Sequence, residues 1–228
     1  LKENDMHSTD LKSQAGHLYV SIDGHDWLLD TGAPTSFGDI KSLYIGKIEF
    51  TVPESYMGLN ATQLSEFVCH STMGIIGADV LNEFYILIDV GGEQISFATN
   101  EIKLAGDILE IEEFMGIPIV SPNIGGANRR MIFDTGAQIS YLQNISLNTF
   151  PSAGIVNDFY PGVGQFQTET YMVDVSIGTK SQQLRCGSLP ELLGTTLMMA
   201  GTEGIIGNEI LRNSVAGYFP KQKKLVLA

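Results

Sequence analysis

The feature that most constrains this chain is that it repeats itself. Asp30-Thr31-Gly32-Ala33 recurs as Asp134-Thr135-Gly136-Ala137, and in both copies the match extends to a serine, Ser36 and Ser140. Further on, Gly74-Ile75-Ile76-Gly77, closed by Leu81, recurs as Gly204-Ile205-Ile206-Gly207, closed by Leu211. A single four-residue match is within reach of chance. Two matches in the same order imply a duplicated folding unit.

Each copy reads as β-structure. Two short apolar runs precede each aspartate: 18–22 and 27–29 around Asp23-Gly24, then 117–120 and 131–133 around Gly125-Gly126. Asp-Gly and Gly-Gly accept the positive φ of hairpin turns, so each aspartate is expected just past the end of a strand. After each GIIG come a helix-compatible stretch (79–84 and 209–213) and a hairpin-like pair of runs, 85–90 with 95–98 and 215–219 with 224–227. With 43% hydrophobic residues in 228, the chain can fill one substantial core or two small ones. The expected fold class is therefore all-β. Two similar β-barrel-like lobes, near 1–105 and 106–228, would be related by a pseudo-two-fold axis with a cleft between them.

The copies differ in length, since Asp30 to Gly74 spans 44 positions whereas Asp134 to Gly204 spans 70. Matching Ile45-Gly46 to Ile177-Gly178 places the extra residues before Ile177. That segment holds Phe159-Tyr160-Pro161-Gly162-Val163-Gly164, a Gly-rich tip, followed by the β-forming run 168–177. It is expected to be a long, mobile hairpin near 156–175. Tyr160, Gly162, Val163 and Gly164 stand at or beside its tip, and the first half has no comparable insertion.

Composition removes several function classes. The formal net charge is −13 and the 13 Lys and Arg are scattered, which suits neither a nucleic-acid backbone nor an anionic membrane surface. No apolar run approaches the length of a membrane-spanning helix. His7, His17, His25 and His70 form no HExxH-like pair, and Cys69 and Cys186 lack metal-ligand spacing, so no metal and no cofactor are expected. Two free thiols are at least as well supported as one disulfide. No G-x-S-x-G elbow occurs, and Gly162-Val163-Gly164 lacks the third glycine of a dinucleotide fingerprint.

A DTG triplet at a strand end supplies a carboxylate, a hydroxyl and a residue without a Cβ, a set suited to bringing two backbones and two acids close together. Two carboxylates at about 3 Å in an effective dielectric near 20 repel by on the order of 5 kcal/mol, equivalent to roughly four pKa units. They would share one proton. The carboxylate form could then draw a proton from water while the acid form hydrogen-bonds a peptide carbonyl.

These paired DTGA and GIIG patterns resemble the aspartic peptidases, specifically their retropepsin (retroviral-type) branch, and the resemblance covers both halves. It implies that Asp30 and Asp134 are catalytic, that Thr31 and Thr135 interlock the lobes, and that Gly32 and Gly136 belong to the supporting turns. Ile75-Ile76-Gly77 and Ile205-Ile206-Gly207 would form loops packed beside those turns. Retropepsins assemble from two identical chains, each with a flap; here both halves lie in one chain, so a monomer is expected to suffice, and the resemblance makes the hairpin near 156–175 its one flap, with Tyr160, Gly162, Val163 and Gly164 as the flap candidates. The partner implied is a peptide or protein substrate in an extended conformation. Family members with Ser or Thr after DTG place an extra hydroxyl near the carboxylates. Ala33 and Ala137 cannot, which points to a weakly acidic optimum. The alternative reading is a non-catalytic peptide-binding module, or a latent zymogen, on the same fold.

Overall fold

The computed structural model describes residues 6–143, 145–160, 164–190, 194 and 197–228. The chain is all-β in two sheet-rich lobes. In the first half, Asp23 and Gly24 take positive φ of 51° and 78° and close strand His17–Ile22 onto His25–Leu29. His25–Leu29 then runs parallel to Gly74–Ile76, whose other side pairs antiparallel with Phe37–Gly38. The second half repeats this: Met131–Phe133 runs parallel to Gly204–Ile206, which pairs antiparallel with Ser140–Leu142. These central strands are buried on both faces, which is why Leu28-Leu29, Ile75-Ile76, Ile132-Phe133 and Ile205-Ile206 are continuous apolar pairs rather than alternating ones.

The halves are stitched together by strands equivalent in the two repeats. The hairpin of Tyr85–Asp89 and Gln94–Ala98 corresponds to that of Val215–Phe219 and Lys224–Leu227, and the two hairpins pair edge to edge, with Ile86 opposite Tyr218 and Ile88 opposite Ala216. Met6–Gln14 extends this ribbon on one side, and Asp107–Glu110 on the other. The core follows the same plan. One cluster, including Trp27, Phe84, Phe97, Phe133 and Tyr218, draws on both halves beneath the cleft. Two smaller clusters face the cleft, one around Tyr19, Phe37 and Ile75 and the other around Ile132, Tyr141 and Ile205.

Several sequence expectations shift in detail. Gly125 and Gly126 do not join 117–120 to 131–133 directly; they turn a small hairpin, Asn123–Ile124 with Ala127–Asn128, that pairs with the later strand Gly164–Ile177. The helix-compatible stretches are single turns, α-helical at Ala78–Leu81 and 3-10 at Asn208–Leu211. The inserted segment is a hairpin of Ser152–Tyr160 with Gly164–Ile177, and the latter strand runs on to pair with Lys180–Gly187. Two elements of the first half were not read from the sequence. One is helix Ala61–Phe67, opened by a capping box in which Asn60 and Gln63 exchange side-chain and backbone hydrogen bonds. The other is a tight hairpin, Ser55–Tyr56 with Leu59–Asn60, turned by Met57 and Gly58 at positive φ.

Candidate active site

Both DTGA segments leave their strands in the same way. Asp30 N donates to Ile76 O and Asp134 N to Ile206 O, each at 3.0 Å. Ala78 N and Asn208 N close the loops onto Ala33 O and Ala137 O, at 2.8 and 3.0 Å. The repeated serines have a parallel use, because Ser36 Oγ accepts Gly77 N at 2.8 Å and Ser140 Oγ accepts Gly207 N at 3.1 Å. The glycines that follow each Ile-Ile pair are required by crowding: a Cβ on Gly77 would press on Ala33 O, and one on Gly207 on Ile139 O and Ala137 O.

The two loops lock together through threonine. Thr31 Oγ1 donates to Phe133 O at 2.7 Å, and Thr135 Oγ1 donates to Leu29 O at 2.8 Å. Each hydroxyl also accepts the other threonine's backbone N–H, both at 3.0 Å. The threonines are 1% and 0% exposed, so no solvent competes for these groups. Next to this lattice, Gly32 passes so close to Asp134, and Gly136 to Asp30, that a Cβ at either position would collide with the facing carboxyl.

Asp30 and Asp134 consequently share a hydrogen bond. Burial, then the negative charge of Asp134, then that shared bond push the Asp30 carboxyl well above the usual carboxylate range. Burial also raises Asp134, opposed by the bond from Asp30 and by the N–H groups of Gly136 and Ala137 on Oδ1, at 2.9 and 3.2 Å. On Asp30, Oδ1 accepts Ala33 N at 2.8 Å. The pair therefore holds a proton more tightly than an isolated carboxyl would.

The cleft above the pair is lined by residues from both halves. From the first come Leu28, Phe37, Tyr56, Met57, Leu59 and Ile75; from the second, Ile117, Ile132, Tyr141, Phe166, Leu189 and Ile205. The inserted hairpin adds Asp158, Phe159 and Tyr160. It leans on the first lobe, since the Phe159 ring stacks on Phe67 of the helix Ala61–Phe67 with centroids 5.0 Å apart. Tyr160 stays a neutral phenol, its pKa pushed up to about 12 by burial and by the charges of Asp134 and Asp30. Gly164 begins the return strand at φ +87°. Gly162 and Val163 lie outside the described residues.

Two further cross-lobe contacts escaped the sequence reading. His17 Nδ1 donates to Gly136 O at 2.9 Å, and burial holds this imidazole's pKa below its ordinary value. Asn208 Nδ2 donates to Gly16 O at 2.8 Å and to Thr135 O at 3.2 Å. The signal for Asn208 was present, as the repeat has Ala78 at the matching position and only the second copy needs the amide. Among the described residues, no cluster of three or more His, Cys, Asp or Glu side chains could hold a metal ion.

No protein-family model matches the sequence, and no curated protein does. By structure, the chain is similar to basic 7S globulin from soybean, with a TM-score of 0.56 at 9% identity over 99% of this chain and 95% of that one. The fold they share is that of the aspartic peptidases. At this identity the likeness concerns the fold alone.

Proposed function

We propose that the chain is an aspartic endopeptidase of the retropepsin type with both half-sites in one polypeptide, acting as a monomer on extended peptides. The observation that carries this reading is the hydrogen-bonded pair Asp30 and Asp134, held by two equivalent loops at the floor of an apolar cleft. A lytic water between the carboxyls gives a proton to the Asp134 carboxylate as its oxygen bonds to the scissile carbonyl carbon. Asp30 gives its proton to the carbonyl oxygen, producing a neutral diol. The C–N bond then breaks as the leaving nitrogen takes the proton from Asp134 and a diol hydroxyl gives its proton to the Asp30 carboxylate, which leaves a carboxylic acid, an amine and the pair in its one-proton state. The backbone N–H groups on Asp134 Oδ1 favour its anionic form at the start of this cycle.

In this reading the hairpin Ser152–Ile177 is the flap. Its apolar contacts with both lobes exclude water from the bound peptide bond, and the short hairpin at Met57-Gly58 bounds the cleft from the first lobe. Cleavage of a diverse peptide library across pH 3 to 8, with and without pepstatin, tests the proposal. Cut sites with an apolar residue on at least one side of the scissile bond, and a weakly acidic optimum, are expected. A folded protein that binds peptides but cuts none would favour the binding-module or zymogen alternative.

A further inference from the structure

We propose that Asp158 is a specificity residue that takes the side-chain cation of a lysine or arginine lying beside the scissile bond. The proposal rests on the peptidase reading above and names a substrate class for it. Along Ser152–Tyr160, side chains alternate between the two faces of the hairpin. Val156 and Tyr160 pack on the apolar wall of the second lobe, and so does Phe166, the cross-strand partner of Asp158. Phe159 points the other way, onto the first lobe. Asp158 thus occupies an inward register whose neighbours on either side are hydrophobic, and it lines the cleft.

Its bonds do not account for the charge. Asp158 Oδ2 accepts the Tyr141 hydroxyl and Oδ1 accepts Phe159 N at 2.8 Å. Both donors are neutral, and an amide oxygen could serve the tyrosine as well. A carboxylate has about four acceptor positions, so two remain unused. Nor does the protein supply a cation. Among the described residues Asp158 makes no salt bridge, the cleft lining contains no Lys, Arg or His, and burial disfavours the charged form of nearby His17.

The charge of Asp158 is felt at the reacting centre, where it raises the proton affinity of Asp134 and of Tyr141. A carboxylate in an apolar cleft beside an acidic pair, with spare acceptor capacity and no cationic partner among the described residues, is complementary to a cation carried in by the ligand. An ammonium or guanidinium there would gain a charge-assisted hydrogen bond, while its aliphatic stem would lie on Phe166 and Ile117.

The test compares two peptides identical except for lysine or norleucine next to the cut bond, in the sequence that the library shows to be cut fastest. Wild type is expected to favour lysine in kcat/KM by about tenfold or more, the worth of one hydrogen bond to a charged group. In Asp158→Asn and Asp158→Ser that ratio should fall to near one. A wild-type ratio near one, or a ratio unchanged in both variants, overturns the assignment. If wild type cuts nothing, the peptidase reading fails separately, and the same pair built into an extended apolar peptide is measured by calorimetric Kd. A lysine preference that both variants abolish then supports the Asp158 site, and equal Kd values overturn it.

Discussion

The hydroxyl of Thr31 holds both the Thr135 amide, at 3.0 Å, and the Phe133 carbonyl, at 2.7 Å, while Thr135 does the same to Thr31 and Leu29. Each side chain therefore satisfies two buried backbone groups of the opposite half. Thr31→Val or Thr135→Val keeps the shape and orphans an N–H and a C=O at once. At roughly 1–3 kcal/mol for each unsatisfied buried group, the loss is about 2–6 kcal/mol. Thr→Ser at either position should retain most of the stability. Urea unfolding checks this, and a Val variant within about 0.5 kcal/mol of wild type would contradict the interlock.

Gly32 and Gly136 leave no room for a Cβ against the facing carboxyl. Gly32→Ala or Gly136→Ala must push Asp30 and Asp134 apart. Both variants are expected to lose at least about 100-fold in kcat/KM, since misplacement by about 1 Å is sufficient for such a loss. Near wild-type turnover in either would mean that the close approach is not needed.

Stability should depend on pH with two opposed slopes. The acidic pair has a proton affinity raised above that of the unfolded chain, so its stabilising contribution is present at low pH and lost as pH rises through the folded value. Asp30→Asn or Asp134→Asn removes that loss and should raise the melting temperature more at pH 8 than at pH 4, by roughly 2–4 °C for each kcal/mol recovered. His17 acts in the opposite sense. Its depressed value gives stability that is present above about pH 6.5 and lost as pH falls toward the folded value. His17→Gln should flatten the acid side of the profile. Melting curves of all three variants at several pH values read both effects.

The inserted hairpin rests on the first lobe through Phe159 and Phe67, and its return strand is bound to the second lobe through the pairing of Gly164–Ile177 with Lys180–Gly187. A double-mutant cycle with Phe67→Ala and Phe159→Ala should give a coupling of about 0.5–1.5 kcal/mol, the usual value for an aromatic pair. Proteolysis of the single variants should speed up within the hairpin. Zero coupling would mean that the stack does not hold the hairpin.

Cys69 is exposed and Cys186 is buried, and both are free. Burial raises the Cys186 thiol to about 12. A thiol reagent should titrate one cysteine in the native protein and two in denaturant. No reactive thiol in denaturant without reductant would establish a disulfide instead.

The fold was legible from the sequence because duplication supplied two independent readings of one unit. Asp23-Gly24 marked a real two-residue turn, and Ile45-Gly46 and Ile177-Gly178, matched only to place the insertion, prove to open equivalent hairpin turns with glycines at φ 61° and 54°. What escaped has physical reasons. The helix Ala61–Phe67 is short and buries only Ala61 and Leu64, too little for a helical period to register, although Asn60 and Gln63 stood at capping-box spacing. The hairpin at Met57-Gly58 has two-residue strands, below the length at which alternation can be seen. Nothing in the linear pattern singles out Asp158, and only the strand register puts it on the inward face with Val156 and Tyr160. His17 and Asn208 act across the lobes, and a linear pattern does not show which surfaces meet; only the departure of Asn208 from Ala78 in the repeat marked one of them.

The most direct measurement of the central claim is kcat/KM on one well-cut peptide for wild type, Asp30→Asn, Asp134→Asn and the double variant, each verified as folded. If the two carboxyls work as one acid–base unit, each single substitution should cost nearly as much as both together, at least about 1,000-fold, because partners in one step are not additive. A single variant that retains wild-type turnover, or losses that simply multiply in the double variant, would contradict the account.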